Sequence, residues 1–103
     1  MKIRWTQRAR KSVNEVGEYI LKTFGKSSLD KFINELLHNV SLLEDSPNLG
    51  RKEPLLEKRS FAYQSLVVNK LSKIIYRIDG EIIYIVDVWE TRRAPRTLTK
   101  GLS

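Results

Sequence analysis

The chain has 103 residues, 41% of them hydrophobic and 30% charged, and carries a net charge of +7 from 19 basic and 12 acidic side chains. That length holds one domain, 1–103, with a single core, and the basicity points to a polyanionic partner such as nucleic acid, an acidic protein segment or a membrane surface. The absence of cysteine excludes disulfides, thiolate metal sites and cysteine nucleophiles. The start lacks the apolar stretch of a secretory signal and no apolar run approaches roughly 18 residues, so a soluble cytoplasmic domain without a membrane partner is expected.

Residues 2–5 alternate Lys, Ile, Arg, Trp, which predicts a short strand with Ile3 and Trp5 on one side. Thr6 stands where a helix N-cap stands. Ala9, Val13, Val16, Ile20 and Phe24 then recur at three and four residues, the stripe of an amphipathic helix that Gly25 ends. Ser27 or Ser28 is placed to cap a second helix with Asp30 in its first turn, so a connection of two or three residues makes an antiparallel helical hairpin. Its apolar stripe is Leu29, Phe32, Ile33, Leu36, Leu37, Val40 and Leu43, and Pro47 and Gly50 follow its end.

Residues 50–58 read as irregular. A meander follows: residues 61–68 are strand-like, Asn69-Lys70 is a tight turn, residues 71–78 are strand-like, and Asp79-Gly80 is a type I′ turn signal. Residues 82–89 are apolar except for Asp87, too short for a typical helix and rich in β-branched side chains. They predict a central strand covered on both faces. The order β-α-α-β-β-β is an α+β layout, an N-terminal strand, an antiparallel two-helix hairpin and a three-stranded antiparallel meander, with the helices on one face of the sheet.

If both turns are two-residue loops, Arg77 pairs with Ile82 and Gln64 opposes Ile75. One face then holds Phe61, Tyr63, Val67, Ile74, Tyr76, Ile78, Ile83 and Ile85 beneath the helices. The other holds Ala62, Gln64, Leu66, Lys73, Ile75, Arg77, Ile82, Tyr84, Val86 and Val88. Charges among aliphatics mark that second face as one that something else covers.

Gln64, Lys73, Arg77 and Tyr84 on that face, with Arg59, Arg92, Arg93 and Arg96 near in sequence, form a candidate anion-binding surface. Arginine forks bind phosphate in bidentate fashion and an aromatic ring offers a base a stacking platform. The same residues also read as an ordinary solvated face. His38 flanks the apolar stripe of the second helix and reads as structural. No spacing suggests a metal, no Ser-His-Asp set assembles and no Gly-rich phosphate loop exists, so no cofactor is expected. Glu90 is placed either as a general base toward a ribose 2′-hydroxyl or as a salt-bridge partner of Arg92 or Arg93. Asp87, inside an apolar strand, needs a cation, and the first helix is the element positioned to supply one.

Several ordered pieces together resemble the RelE/ParE superfamily of bacterial type II toxins over nearly the whole chain. They are the strand ending in Trp5, Tyr19-Ile20 late in the first helix, Ser46-Pro47-Asn48-Leu49-Gly50-Arg51, Tyr63-Gln64-Ser65-Leu66-Val67-Val68, Ile75-Tyr76-Arg77-Ile78, and the ending from Val86 through Trp89, Glu90, Arg92 and Arg93 to Pro95. The resemblance implies the growth-arresting toxin of a toxin–antitoxin (plasmid stabilisation) module, bound in a hetero-oligomer by a cognate antitoxin whose C-terminal segment wraps it. It also implies a choice of target: DNA gyrase for the ParE-like branch, ribosome-bound mRNA for the RelE-like branch. On the nuclease branch the resemblance assigns catalysis by an mRNA endoribonuclease to Lys73, Arg59 and Arg92. Gln64, Arg77, Tyr84, Arg93 and Arg96 are then target- or anion-binding. Leu98 stands where a nuclease would carry a C-terminal Tyr or His, and with the long hairpin this favours the gyrase branch. A plain basic nucleic-acid-binding module is the remaining reading of the charge.

Overall fold

The structure, a computed structural model, describes residues 1–90 and 99–102. Strand β1 (Lys2–Trp5) leads into helices α1 (Gln7–Phe24) and α2 (Lys26–Asp45), followed by strands β2 (Arg51–Lys52), β3 (Gln64–Asn69), β4 (Ser72–Asp79) and β5 (Ile82–Glu90). The sheet has the order β1-β5-β4-β3-β2. β1 runs parallel to β5 and all other neighbours are antiparallel. The expected α+β order holds, with the short edge strand β2 added from the stretch read as irregular.

Thr6 caps α1 as its residue type predicts, its hydroxyl accepting from the Ala9 N–H at 3.1 Å. The hairpin is tighter than expected. α2 starts at Lys26 and Gly25 alone joins the helices, with no serine cap. Its φ of 94° explains how one residue reverses the chain, because only glycine occupies that region without strain. Leu37, assigned to the buried stripe, is exposed.

The helices cover one sheet face. Val16, Phe32, Leu36, Val40 and Leu43 meet Ile74, Tyr76, Ile83, Ile85 and Val88 there, with Ile3, Trp5, Leu66 and Val68 at the margin. β5 lies between β1 and β4 and its middle is buried on both faces, as its unbroken apolar run requires. Below the sheet lies a second cluster, Leu56, Tyr63, Ile75, Val86 and Trp89, with Tyr84 and Leu102 against it.

Register is where the expected faces fail. Both turns fall one residue later than Asn69-Lys70 and Asp79-Gly80, and a bulge at Val68 shifts the register of β3 by one residue, so Arg77 pairs with Tyr84 and Gln64 with Tyr76. The β4–β5 shift is even and preserves the faces of β4, but the β3–β4 shift is odd and inverts β3. Leu66 therefore belongs to the helix side, while Tyr63 and Val67 do not. Phe61 precedes the strand and is exposed. A bulge between Ile75 and Tyr76, where Val86 is the extra residue, then turns Val88 to the helix side and Trp89 to the far side.

Asp87 sits at that bulge, 3% exposed, and finds the cation expected on α1. Its carboxylate accepts from Arg8 Nε at 3.0 Å, from Trp89 Nε1 at 2.9 Å and from its neighbour's backbone N–H, and also from the Ser12 hydroxyl. Arg8 extends further, donating from Nη1 to the Lys100 carbonyl at 2.5 Å.

Tyr76 pins the chain after α2: its hydroxyl donates to the Pro47 carbonyl at 2.8 Å and accepts from the Gly50 N–H at 2.9 Å. Burial pushes the phenol above its ordinary value, more than the Gly50 bond lowers it, so it stays a donor. Gly50 has no room for a side chain, since a Cβ would lie 2.5 Å from the Ser65 carbonyl oxygen and 2.7 Å from the Tyr76 hydroxyl.

Replacing Asp87 by Ala is expected to cost about 3 kcal/mol, because four donors aimed at one buried carboxylate lose it together. Urea unfolding of the variant measures this, and a loss below about 1 kcal/mol would show that the network contributes little.

Candidate functional site

The face of the sheet away from the helices is mostly closed by the chain itself. β2 pairs Arg51 with Ser65 and Lys52 with Gln64, which lays the following residues across β3 and β4. A single 3₁₀ turn, Pro54–Leu56, begins there, capped by the Glu53 carboxylate accepting from the Leu55 N–H at 2.9 Å. Leu56 and Tyr63 then drop onto Ile75, Val86 and Trp89. The face expected to be left open for a partner is thus covered by residues 51–63 of the chain itself, which sequence periodicity could not reveal because so short a strand and turn have no period.

Glu53 is the polar centre of that cover, 1% exposed and bound by the Lys73 ammonium. Lys73 also lies 5.3 Å from the centroid of the Trp89 ring. Burial pushes the Glu53 carboxyl upward, but the hydrogen bonds from Lys73 and Leu55, with the Lys73 charge, outweigh it and hold the group below its ordinary 4.5. Glu53 gave no sequence signal as a site residue. A glutamate before proline in a charged stretch looks like surface, and only the fold buries it.

Arg77, four residues along β4, takes a different setting on the same face. Its guanidinium carbon lies 4.3 Å from the Phe61 ring centroid and 4.6 Å from that of Tyr84, its cross-strand partner. Asp79 approaches Nη1 only to 3.7 Å. Phe61 in turn meets Tyr63 edge-on at 6.2 Å. Lys73, Arg77 and Tyr84 therefore do share one face, as the sequence reading expects. Gln64 does not join them, because the odd register places it on the Tyr76 side, where its amide donates to the Gly50 carbonyl at 3.3 Å. Arg59 is exposed beyond the 3₁₀ turn, with its backbone N–H bonded to the Leu56 carbonyl. Arg92, Arg93 and Arg96 lie outside the described residues. Glu90 ends β5 opposite Ser72, and His38 is exposed on α2.

On the opposite side of the molecule, α1, α2 and the β3–β4 turn enclose an open groove of about 570 Å³. Val16, Ile20 and Phe32 line it deeply; Tyr19, Phe24 and Leu71 form exposed apolar walls, and Lys31, Glu35, Lys70 and Glu90 supply charge. Tyr19 and Phe24 meet edge-on with centroids 6.3 Å apart. Among the described residues no group of His, Cys, Asp and Glu is arranged to hold a metal, and no helix is long and apolar enough to cross a membrane.

Comparison with known proteins places this geometry. The family described as the ParE toxin of the type II toxin–antitoxin system parDE matches residues 3–95. The chromosomal ParDE system of P. aeruginosa contains a chain of similar fold, with TM-score 0.72 at 18% identity, covering 87% of this chain and 95% of that one. The YoeB/ParE toxin of Agrobacterium tumefaciens follows with TM-score 0.58 at 18% identity over 87% and 98% of the two chains. The YoeB dimer of Staphylococcus aureus gives TM-score 0.53 at 18% identity over 84% and 92%. No curated protein matches the sequence significantly.

The buried Glu53–Lys73 pair makes stability depend on acid. A carboxyl held below its ordinary value contributes stability that is fully present above about pH 4.5 and lost as pH falls through its folded value. Glu53→Gln is therefore expected to be less stable than the native chain at neutral pH, with the gap closing below about pH 4. Urea midpoints across that range test this, and a gap that does not change with pH would sink it.

Proposed function

The chain belongs to the ParE toxin family of type II toxin–antitoxin systems, and from that membership we propose that it arrests growth by binding and inhibiting DNA gyrase. The observation that carries the reading is the state of Lys73. A phosphate-stabilising cation acts through charge that is unspent before the substrate arrives. The Lys73 ammonium is instead committed to a buried carboxylate and flanked by Trp89. Arg77 is likewise engaged by two rings. Such a surface suits recognition of another protein better than cleavage of RNA. The proposed contact region is the far face of the sheet around Arg77 and Tyr84, and the sequence adds the arginines at 92, 93 and 96 as candidate contacts.

The antitoxin that family membership implies is proposed to occupy the groove beside the hairpin tip. Its exposed Tyr19, Phe24 and Leu71 fit the apolar stripe of an amphipathic segment. The +7 charge favours an acidic one. Toxin and antitoxin surfaces would then lie on opposite sides of the sheet.

Purified protein is expected to inhibit gyrase supercoiling, and its expression to induce the DNA-damage response while leaving messenger RNA intact. Truncated transcripts with normal supercoiling would instead favour the RelE-like endoribonuclease, in which Lys73, Arg59 and Arg92 act on the scissile phosphate. The pair Phe24→Asp and Leu71→Asp is expected to weaken antitoxin affinity by about tenfold or more while growth arrest persists. Calorimetry with the co-encoded antitoxin measures the first effect and plating the second. Unchanged affinity would place the antitoxin elsewhere.

A further inference from the structure

We propose that Arg77, with Phe61 and Tyr84, forms a preorganised receptor for a carboxylate of the target protein, an Asp or Glu side chain projecting into the far face of the sheet. This rests on the reading of the protein as an inhibitor that works by protein contact, and it names the chemistry of that contact.

The two rings flank the guanidinium. Each centroid lies within 4.6 Å of its central carbon, while Phe61 and Tyr84 form no ring contact with each other. A guanidinium held over aromatic rings keeps N–H donors that can meet a carboxylate. Bidentate carboxylate recognition uses the plane of those donors. The side chain is 22% exposed, so its orientation is largely set before binding while part of it still reaches solvent. Ordering costs that usually oppose binding by a long side chain are thereby reduced.

The intramolecular partner is weak. Asp79 sits 3.7 Å from Nη1, beyond hydrogen-bond length, and its own side chain is 69% exposed. An exposed ion pair of that kind contributes little and yields readily to a better-placed anion. Phe61, 45% exposed, provides an apolar wall that would exclude water around the new pair. Lys73, by contrast, already has its anion in Glu53 and carries no such vacancy.

Charge chemistry favours a protein carboxylate over nucleic acid. Stacking of bases needs free ring faces. Here Tyr84 is divided between Arg77 and the Leu56–Trp89 cluster, and Phe61 between Arg77 and Tyr63. What remains is one fork and an apolar rim, on a chain whose net charge of +7 attracts acidic surfaces.

The test combines two measurements. In the first, gyrase supercoiling is assayed with the native chain, Arg77→Lys, Arg77→Gln and Asp79→Asn, each checked for native melting. Both Arg77 variants are expected to inhibit about tenfold less well or worse, because lysine keeps the charge but not the fork. Asp79→Asn is expected to inhibit as well as the native chain or better, since it removes only the competing anion. In the second, the Arg77 Nε–Hε NMR signal is followed during titration with poly-L-glutamate and, separately, with a single-stranded oligouridine. A shift with the first and none with the second is expected. If the native chain leaves gyrase untouched, the gyrase target is wrong, and the glutamate titration still judges the receptor. The receptor is overturned if poly-L-glutamate does not move the signal, if oligouridine moves it instead, or if Arg77→Lys inhibits a sensitive gyrase as well as the native chain.

Discussion

A carboxylate buried inside an apolar strand has to be satisfied or the fold does not persist, and Asp87 is satisfied by groups drawn from two elements far apart in the chain. Arg8 and Ser12 come from the first turns of α1, Trp89 from the end of β5, and Arg8 continues to the Lys100 carbonyl. The network thereby fixes where α1 starts relative to β5, and it holds Trp89 against the far face of the sheet. Hydrophobic burial drives collapse but tolerates sliding. Directional bonds to one buried charge do not, because each misplacement leaves a donor or acceptor without a partner.

From that fixed strand the two faces divide the work. The helix face is the larger core and carries few polar contacts with a functional bearing. The far face is smaller and depends on the cover formed by residues 51–63, whose Glu53 anchors to Lys73. The residue that sequence resemblance nominates for catalysis is thus one that already pairs with a buried acid. That pairing leaves Arg77 as the basic side chain of β4 on that face without a buried acid beside it. The far face of this chain thus sets Arg77 and its two rings beside a locked ion pair.

On the proposed reading, opposite sides of the sheet also separate the antitoxin contact from the target contact. The groove between the hairpin and the β3–β4 turn is apolar, with exposed rings. The far face is cationic and ringed by engaged aromatics. Neutralisation by a partner in the groove would then act through added bulk or allostery rather than by filling the Arg77 receptor. Rigid, short connections such as the one-residue link at Gly25 make the groove a preformed feature.

Much of the architecture was legible in the residues themselves. Periodicity specifies both helices and the doubly buried β5; Thr6 specifies its cap; and the acid inside β5 specifies a cation on α1. These are local or near-local rules, decided by hydrophobic spacing and by the cost of unpaired polar groups. Register was not legible, since a single bulged residue at Val68 inverts the faces of β3, and that moved Gln64 out of the candidate site and Leu66 into the core. Nor was the burial of Glu53, whose surroundings are assembled from segments about ten to thirty-five residues apart. Sequence by itself determined the doubly buried β5, most of the helix stripes and the one acid that had to be paired. Only tertiary structure decided which of the remaining cations were already neutralised, because that depends on which distant carboxylate the chain brings within reach.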